Sequence, residues 1–151
     1  MPRLHLKIVT PEKIVFERDV NQVTVPTMDG EITVLPEHIP LVSVLKPGEL
    51  VTYDVDKKSE PISLAVSGGF IEVNENQVVI LADTAERAEE IDVAKAQAAH
   101  ERAKKLLADA KHQDSVEYAQ LAVKIEKELA RLRVSRKRHH GLNQPTIESM
   151  S

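Results

Sequence analysis

The chain contains no cysteine and no tryptophan, and aromatic residues make up only 3% of its 151 residues. Without cysteine it has no disulfide, no thiolate nucleophile and no zinc-thiolate site. Because aromatic rings are scarce, the interior of any β domain must be filled by valine, isoleucine and leucine. No apolar run approaches the roughly 20 residues that cross a bilayer as a helix. We therefore predict neither a transmembrane helix nor a signal-peptide core.

Sequence motifs that carry catalysis are also missing. The chain has no Gly-x-x-x-x-Gly-Lys phosphate loop, no Gly-x-Ser-x-Gly elbow and no His-Glu-x-x-His metal helix. Ser67-Gly68-Gly69 could serve as a nucleophile turn, but a glycine hairpin turn explains it without an activating base. His139 and His140 are adjacent, so they point apart on a helix, and their basic neighbours repel cations. We assign no catalytic residue and no metal ligand.

The first half of the chain, from Leu4 to Leu81, alternates between apolar and polar residues in short segments. The clearest alternation is in Val23 and Val25, Ile32 and Val34, Val51, Tyr53 and Val55, and Ile62, Leu64 and Val66. Turn residues separate the segments at Asp29-Gly30, Pro47-Gly48, Gly68-Gly69 and Asn74-Glu75-Asn76. Many short strands at this spacing predict an antiparallel sandwich or barrel. One face of each strand is expected to be apolar and to form the core.

At Ala82 the apolar period changes from two residues to about 3.6, which indicates helices. We predict a short turn near residues 84–90, a first helix from Asp92, and a second helix that begins at Asp114 and is stopped by Gly141 and Pro145. The resulting divisions are a β-sandwich over 1–83, a helical hairpin over 84–140 and a disordered tail over 141–151.

The two helices are predicted to meet along a seam that is mostly alanine on the first helix. The first stripe is Ala96, Ala99, Ala103, Leu106 and Ala110, and the second is Tyr118, Ala122, Ile125, Leu129 and Leu132. A buried methyl group contributes only about 0.8 kcal/mol, so closing this seam gains little. A hairpin held by a few kcal/mol could act as a switch.

Charge is unevenly distributed, although the net charge is only -4. Residues 1–82 carry 7 basic and 12 acidic side chains, whereas 83–151 carry 13 and 12. Between residues 124 and 138 the second helix has only two acidic residues, Glu126 and Glu128, against seven basic ones: Lys124, Lys127, Arg131, Arg133, Arg136, Lys137 and Arg138. This excess either complements the helix dipole in solvent or binds an acidic partner. Nucleic-acid binding through this helix is an alternative, but the run lacks exposed aromatics for base stacking and the pI is about 5.9.

Three segments together resemble the epsilon subunits of bacterial rotary (F-type) ATP synthases. Val25–Leu41 contains Gly-Glu, Leu-Pro and His-x-Pro-Leu in the order of that family. Val66–Val73 is similar to its Ser-Gly-Gly turn, and Leu81–Glu86 is similar to its join between strands and helices. The order and spacing of these segments carry the resemblance, which covers nearly the whole chain apart from the tail.

The resemblance implies an α+β protein with an N-terminal antiparallel β-sandwich of about ten strands and a C-terminal antiparallel two-helix hairpin. It implies a non-catalytic rotor subunit, without nucleic acid, that contacts the gamma subunit and the c-ring at the cytoplasmic face of the bacterial plasma membrane. The hairpin would reach the alpha/beta catalytic hexamer and restrain ATP hydrolysis in this proton-translocating complex. Glu31 would face the c-ring loops, while His38 is better explained as fixing its loop by hydrogen bonding. The residues implied to contact the hexamer are Arg131, Arg133, Arg136, Lys137 and Arg138.

No cofactor is required, but the resemblance also implies a regulatory ATP site on the folded hairpin. The matched or similar positions are Glu86, Ile91, Asp92, Ala96, Arg102, Lys127 and Arg131. Lys95 stands where the motif of the family has arginine, and a lysine cannot copy the two-pronged contact of a guanidinium. Binding is therefore expected to be weaker than in tight binders, or absent. Asp92 is explained equally well as a helix cap.

Overall fold

The computed structural model describes residues 2–56, 60–109 and 115–142, with side chains for 2–56, 60–108 and 116–136. These residues form a β-rich N-terminal domain followed by two helices, so the predicted α+β class is confirmed. The described ranges contain nine strands: β1 Leu4–Val9, β2 Ile14–Thr27, β3 Gly30–Val34, β4 Leu41–Val44, β5 Gly48–Asp54, β6 Pro61–Ser67, β7 Phe70–Asn74, β8 Gln77–Leu81 and β9 Thr84–Arg87. A 3₁₀ turn follows at Ala88–Glu90, then helices α1 Val93–Asp109 and α2 Ser115–Leu142.

The long strand β2 organises the sheet because it pairs with three other strands. Its first part pairs with β1, and its second part pairs with β3 and β5. The strands follow the order β4-β7-β8-β1-β2-β5-β6-β9, and β3 pairs with β2 outside this path. The pairing with β5 shifts register between Val20 and Gln22, and such a bulge increases the local bend and twist of a strand. This bend lets one strand serve both layers of the sandwich.

The core between the layers is aliphatic, as the composition predicts. Its fully buried side chains include Leu4, Leu6 and Ile8 of β1, which alternate with more exposed neighbours. Phe16 is the one large aromatic side chain among the buried residues that the structure describes. The guanidinium groups of Arg18 and Arg87 lie 5.7 and 5.5 Å from its ring centroid, where a cation is attracted to the ring face.

The predicted core face of β5 is wrong. Leu50 and Thr52 are fully buried, whereas Val51 and Tyr53 lie on the opposite face and are only partly buried. The Thr52 hydroxyl enters the core because it donates a hydrogen bond of 2.7 Å to the backbone carbonyl of Gln22. α2 packs against β5 and β6 from outside, so apolar residues are accommodated on both faces of these strands.

The four turns predicted between strands up to Asn76 are confirmed, and Gly69 has the most restrictive surroundings. This residue has a φ of +98°, a conformation that residues with a Cβ rarely adopt. A Cβ placed on Gly69 would also lie 1.7 Å from the carbonyl oxygen of Leu81. The Gly68-Gly69 turn therefore brings β7 against β8 more closely than any other residue type would allow.

The region after Ala82 differs from the predicted turn at 84–90. Thr84–Arg87 is a ninth strand paired antiparallel with β6, and only Ala88–Glu90 forms a turn. The sheet thus continues past residue 83, where the change in apolar period suggested a boundary. A four-residue strand is too short to establish its own alternation, and its pairing with Leu64–Ser67 is long-range.

The helices begin and end close to the predicted residues. Asp92 caps α1, because its Oδ1 accepts a hydrogen bond of 3.1 Å from the backbone N–H of Lys95. Asp114 and Ala110 lie outside the described residues. Gly141 does not stop α2, which extends to Leu142. Residues 143–151, most of the predicted tail, lie outside the described residues.

The predicted helix seam is only partly buried. Ala96 and Ala103 of α1 and Leu132 of α2 are buried, as expected. Tyr118 and Leu129 of α2, however, keep 46% and 40% of their surface exposed, and Leu106 of α1 keeps 51%. The short side chains of an alanine-rich neighbour cover only part of a leucine or tyrosine. Only part of each predicted stripe is therefore buried where the helices meet.

The second half of α2 also packs against the sandwich. Leu132 and Val134 form an apolar cluster with Ala65 of β6, Ile91 and Ala96. This cluster is separate from the main core and much smaller. Neither helix, over the residues that the structure describes, is both long and apolar enough to span a bilayer.

We expect Leu132→Ala to weaken the docking of α2 by about 2–4 kcal/mol, because that side chain is almost fully buried. The matched variant Leu129→Ala should cost less than about 1 kcal/mol, because much of that leucine is already in solvent. Hydrogen exchange should show faster exchange of α2 amides in the first variant, with unchanged protection of β1 and β8. Equal losses of α2 protection in the two variants would contradict the burial of Leu132 and the exposure of Leu129.

Candidate functional site

A charged cluster joins the sandwich to α2. The Nε of Arg131 donates a hydrogen bond of 2.6 Å to Oε2 of Glu86, and its Nη1 donates one of 2.9 Å to Oε2 of Glu128. Glu86 belongs to β9, whereas Glu128 and Arg131 are one turn apart on α2. We call these three residues the Arg131 cluster. Its Nε contact with Glu86 crosses from α2 to the sandwich.

The Arg131 cluster is largely shielded from water. The side chain of Arg131 is 17% exposed, that of Glu86 is 32% exposed and that of Glu128 is 6% exposed. Burial on its own would lower the pKa of the Arg131 guanidinium. The hydrogen bonds and negative charges of Glu128 and Glu86 outweigh burial and raise this pKa above its ordinary value. The guanidinium is therefore fully charged, and it is shared between two carboxylates.

The local structure explains how these three groups meet. Glu86 pairs with Ala65 across β9 and β6, so its strand lies beside the part of the sheet that α2 covers. On α2 a spacing of three residues places Glu128 and Arg131 on the same face. Next to Arg131 along the helix, Leu132 enters the small apolar cluster with Ala65. Apolar packing thus excludes water next to the ion pairs, which strengthens them.

The structure brings together only some of the residues that were predicted to contact ATP. Glu86 and Arg131 are in direct contact, and Ile91 and Ala96 share the neighbouring apolar cluster. Asp92 accepts the capping hydrogen bond of α1 described above. The remaining two basic residues differ in exposure: Lys127 is half-buried on α2, and Arg102 is exposed on α1 without a hydrogen bond or ion pair to any described residue.

The residues predicted to bind partners lie on the surface. Glu31 is exposed on β3, where it pairs with Pro26. Arg133 and Arg136 are exposed on α2. The side chains of Lys137 and Arg138 lie outside the described residues.

Two features of the predicted loops are also visible in the structure. His38 holds its loop by a hydrogen bond of 2.7 Å between its Nδ1 and the carbonyl of Ile39, as the sequence predicts. Glu37 next to it has a φ of +67°, and its backbone N–H donates a hydrogen bond to Oδ1 of Asn76. These contacts fix the loop between β3 and β4 against the turn between β7 and β8.

An apolar row crosses the outer face of the sandwich, and sequence reasoning missed it. Residues paired directly across neighbouring strands form it: Val44 with Phe70, Phe70 with Leu81, Leu81 with Val9, and Val9 with Ile14. Between 47% and 53% of the surface of Val44, Phe70, Leu81 and Ile14 is exposed, and Val9 is half-buried. We call these five residues the apolar row. Each lies in a different strand, so the row appears only when the register is known.

Charged residues flank the apolar row on the same face. Lys7 pairs with Glu17 across β1 and β2, and His5 pairs with Asp19 one step further. The Nδ1 of His5 lies 2.9 Å from Oδ1 of Asp19, and its Nε2 lies 3.2 Å from Oε1 of Glu17. Hydrogen bonding to Asp19 and then to Glu17 raises the pKa of His5 above its ordinary value. The same contact lowers the pKa of Asp19.

Two family models match the two parts of the chain. The β-sandwich domain of the ATP synthase delta/epsilon chain matches residues 3–88, and the long α-helix domain of that chain matches residues 89–136. The ATP synthase epsilon chain of Chloroflexus aggregans is 45% identical over 132 residues, which cover 87% of this chain and 91% of that one. The epsilon chain of Dehalococcoides mccartyi is 44% identical, over 91% of this chain and 96% of that one.

The fold is also similar to solved structures. One chain in the cryo-EM structure of the Euglena gracilis mitochondrial ATP synthase, described as OSCP/F1/c-ring, aligns with a TM-score of 0.70 and 25% identity. The alignment covers 95% of this chain and 83% of that chain. A chain of the Tetrahymena thermophila mitochondrial ATP synthase shares the fold, with a TM-score of 0.53 and 16% identity.

Proposed function

The chain belongs to the epsilon chains of the ATP synthase delta/epsilon family, and from this premise we propose that it is a non-catalytic rotor subunit of a proton-translocating ATP synthase. In this role the sandwich binds the gamma subunit and the c-ring, and the helices regulate ATP hydrolysis in the alpha/beta hexamer. The complex lies at the cytoplasmic face of the bacterial plasma membrane, and this subunit is peripheral to it. The observation that best supports the proposal is the apolar row.

The apolar row has the properties of a docking surface. It places five apolar side chains in line, and its one aromatic side chain, Phe70, is 53% exposed. Contiguous apolar surface rimmed by charged residues is typical of a site that binds another protein. The rim here consists of Lys7, Glu17, His5 and Asp19. An exposed aromatic side chain within an aliphatic patch is typical of protein interfaces, where aromatic residues are enriched. We assign this face to the gamma subunit.

The turn between β2 and β3 is suited to a second contact, with the c-ring. Thr27 Oγ1 donates a hydrogen bond of 2.5 Å to the carbonyl of Gly30 and accepts one of 3.2 Å from the backbone N–H of Asp29. The turn is therefore held rigidly. It presents Met28, which is 66% exposed, and the neighbouring carboxylate of Glu31. An apolar and an acidic side chain on a fixed turn fit the short polar loops that the family places opposite it.

The helical hairpin supports a regulatory role because closure buries few large side chains. Leu106, Tyr118 and Leu129 remain exposed along the seam, and the apolar cluster beneath α2 is much smaller than the main core. Arg133 and Arg136 of α2 point into solvent in the closed arrangement. We assign Arg131, Arg133, Arg136, Lys137 and Arg138 to contacts with acidic groups of the catalytic hexamer when the helices extend.

We also propose that ATP binds weakly at the junction of the sandwich and the hairpin. Arg131 and Glu86 are already paired there, so a phosphate group must displace a carboxylate before it can contact Arg131. Arg102 is exposed and able to make a forked phosphate contact. Lys95 and Lys127 offer only point charges.

Substitution of Phe70 tests the proposed docking face. Phe70→Asp should weaken binding to the gamma subunit at least about tenfold, because it places a charge within an apolar interface. The control is Val123→Asp on α2, which changes a side chain of similar exposure outside the row. Calorimetric titration with purified gamma subunit measures both. Unchanged affinity of the Phe70 variant, with a folded sandwich by circular dichroism, would exclude the apolar row as the docking face.

Replacement of the basic residues of α2 tests the proposed regulation of ATP hydrolysis. With Arg133, Arg136, Lys137 and Arg138 replaced by alanine, ATP hydrolysis by the reconstituted complex should rise several-fold, because the extended helix loses its charge complementarity. Lys104→Ala with Lys105→Ala on α1 is the control for removal of exposed basic charge. Inhibition equal to that of the unaltered chain would reject a role for these charges.

Titration with ATP tests the proposed weak nucleotide site. Calorimetric titration of the isolated chain with ATP should give a Kd no tighter than about 1 mM, equivalent to a binding free energy of ~4 kcal/mol. Arg102→Ala should remove the heat, because the forked phosphate contact is lost, while Lys105→Ala should not. Heat that persists undiminished in the Arg102 variant would refute the phosphate contact, and no heat from the unaltered chain would refute the site.

A further inference from the structure

We propose that the hairpin is held closed by the chain's own carboxylates, with Glu86 and Glu128 occupying Arg131 in place of any bound anion. Each arm of the guanidinium has a different partner. The Nε contact crosses from α2 to the sandwich, whereas the Nη1 contact remains within α2. The Arg131 cluster therefore has all its ion-pair partners within the chain and needs no ligand. We call its Arg131–Glu86 pair, which joins α2 to the sandwich, the clasp.

The two contacts of Arg131 have different consequences when the helices leave the sandwich. Glu128 is three residues from Arg131 on the same helix and moves with it. Glu86 stays on β9, so opening breaks only the 2.6 Å contact. Glu128 positions the guanidinium, and Glu86 is the group that holds the helix to the sandwich. The two acids thus have separate roles despite similar distances to the same side chain.

Electrostatics favour the internal carboxylates over an added anion. The Arg131 cluster carries one positive and two negative charges, so it has a net charge of -1 and repels phosphate. An incoming anion must first displace Glu86, and that displacement removes the contact that closes the hairpin. Closure is therefore expected in the absence of nucleotide, and it should weaken as salt screens the partly exposed Glu86.

The apolar contacts beside the clasp are too few to make it redundant. Leu132 and Val134 meet Ala65 and Ile91, a small set compared with the main core. Because the apolar contribution is modest, one water-shielded ion pair is a substantial part of what holds α2 in place. Loss of that pair should change the closed-to-open ratio measurably.

This inference rests on the proposed function only for the purpose that closure serves, so it is tested on the isolated full-length chain. Because the chain has no cysteine, Lys46→Cys and Lys124→Cys allow specific labelling of the sandwich and α2 at exposed positions. The distance distribution between two spin labels, or energy transfer between two dyes, then reports the closed and open populations. Failure of the rotor assignment would leave this measurement unaffected.

The test compares Glu86→Gln with Glu126→Gln, which removes an exposed carboxylate of α2 that has no ion pair among the described side chains. We expect the first variant to lower the closed-to-open ratio about fivefold to tenfold, as for a partly buried ion pair, and the second to leave it unchanged. Arg131→Ala should lower the closed-to-open ratio as much as Glu86→Gln does. Because both remove the same ion pair, the variant with both substitutions should have nearly the same ratio as either alone. Raising the salt concentration should lower the closed-to-open ratio of the unaltered chain and should change that of Glu86→Gln less.

Three results would overturn the inference. One is a closed population in Glu86→Gln equal to that of the unaltered chain. Another is an unaltered chain that is mostly open in low salt and closes only on addition of ATP. Hydrogen exchange of β1 and β8 amides in the same samples checks that the sandwich stays folded. Loss of protection there would instead assign Glu86 to the stability of the sandwich itself, and would equally count against a clasp.

Discussion

The contact between Arg131 and Glu86 connects the two parts of the molecule, and the closed arrangement depends on it. Apolar contacts differ greatly in extent: the sandwich has a large aliphatic core, whereas the helices meet the sandwich in a small cluster built around Ala65 and Leu132. A charged contact suits such a junction because it is directional and reversible. It fixes the position of α2 without the deep interlocking of side chains that would prevent release.

Much of this fold could be predicted from the sequence because its signals are local. Turns depend on a few residues, so Asp29-Gly30 and Gly68-Gly69 were identified correctly, and so was the capping of α1 by Asp92. The errors arose where a distant element changes the environment. Val51 and Tyr53 alternate like core residues, but α2 covers that outer face of β5 and makes apolar residues acceptable there. The β9 strand exists only because Leu64–Ser67 pairs with it.

In the candidate sites, too, local features could be predicted and features that depend on distant elements could not. Arg131 and Glu86 were named from a motif, yet their direct pairing, and the part played by Glu128, follow from the packing of α2 on the sandwich. A buried glutamate three residues before an arginine is a weak signal by itself, since such pairs are common on exposed helices. The apolar row could not be recognised from the sequence, because its members are scattered from Val9 to Leu81 and become neighbours only through strand register.

The direction of the apolar row has a mechanical consequence. The row runs across the strands, so a partner bound along it is attached to β4, β7, β8, β1 and β2 at once. A pull on that partner is divided among five strands and the hydrogen-bonded ladders between them, and no single edge strand is peeled away. If the row binds the gamma subunit as proposed, the sheet transmits torque between that subunit and the c-ring with little deformation.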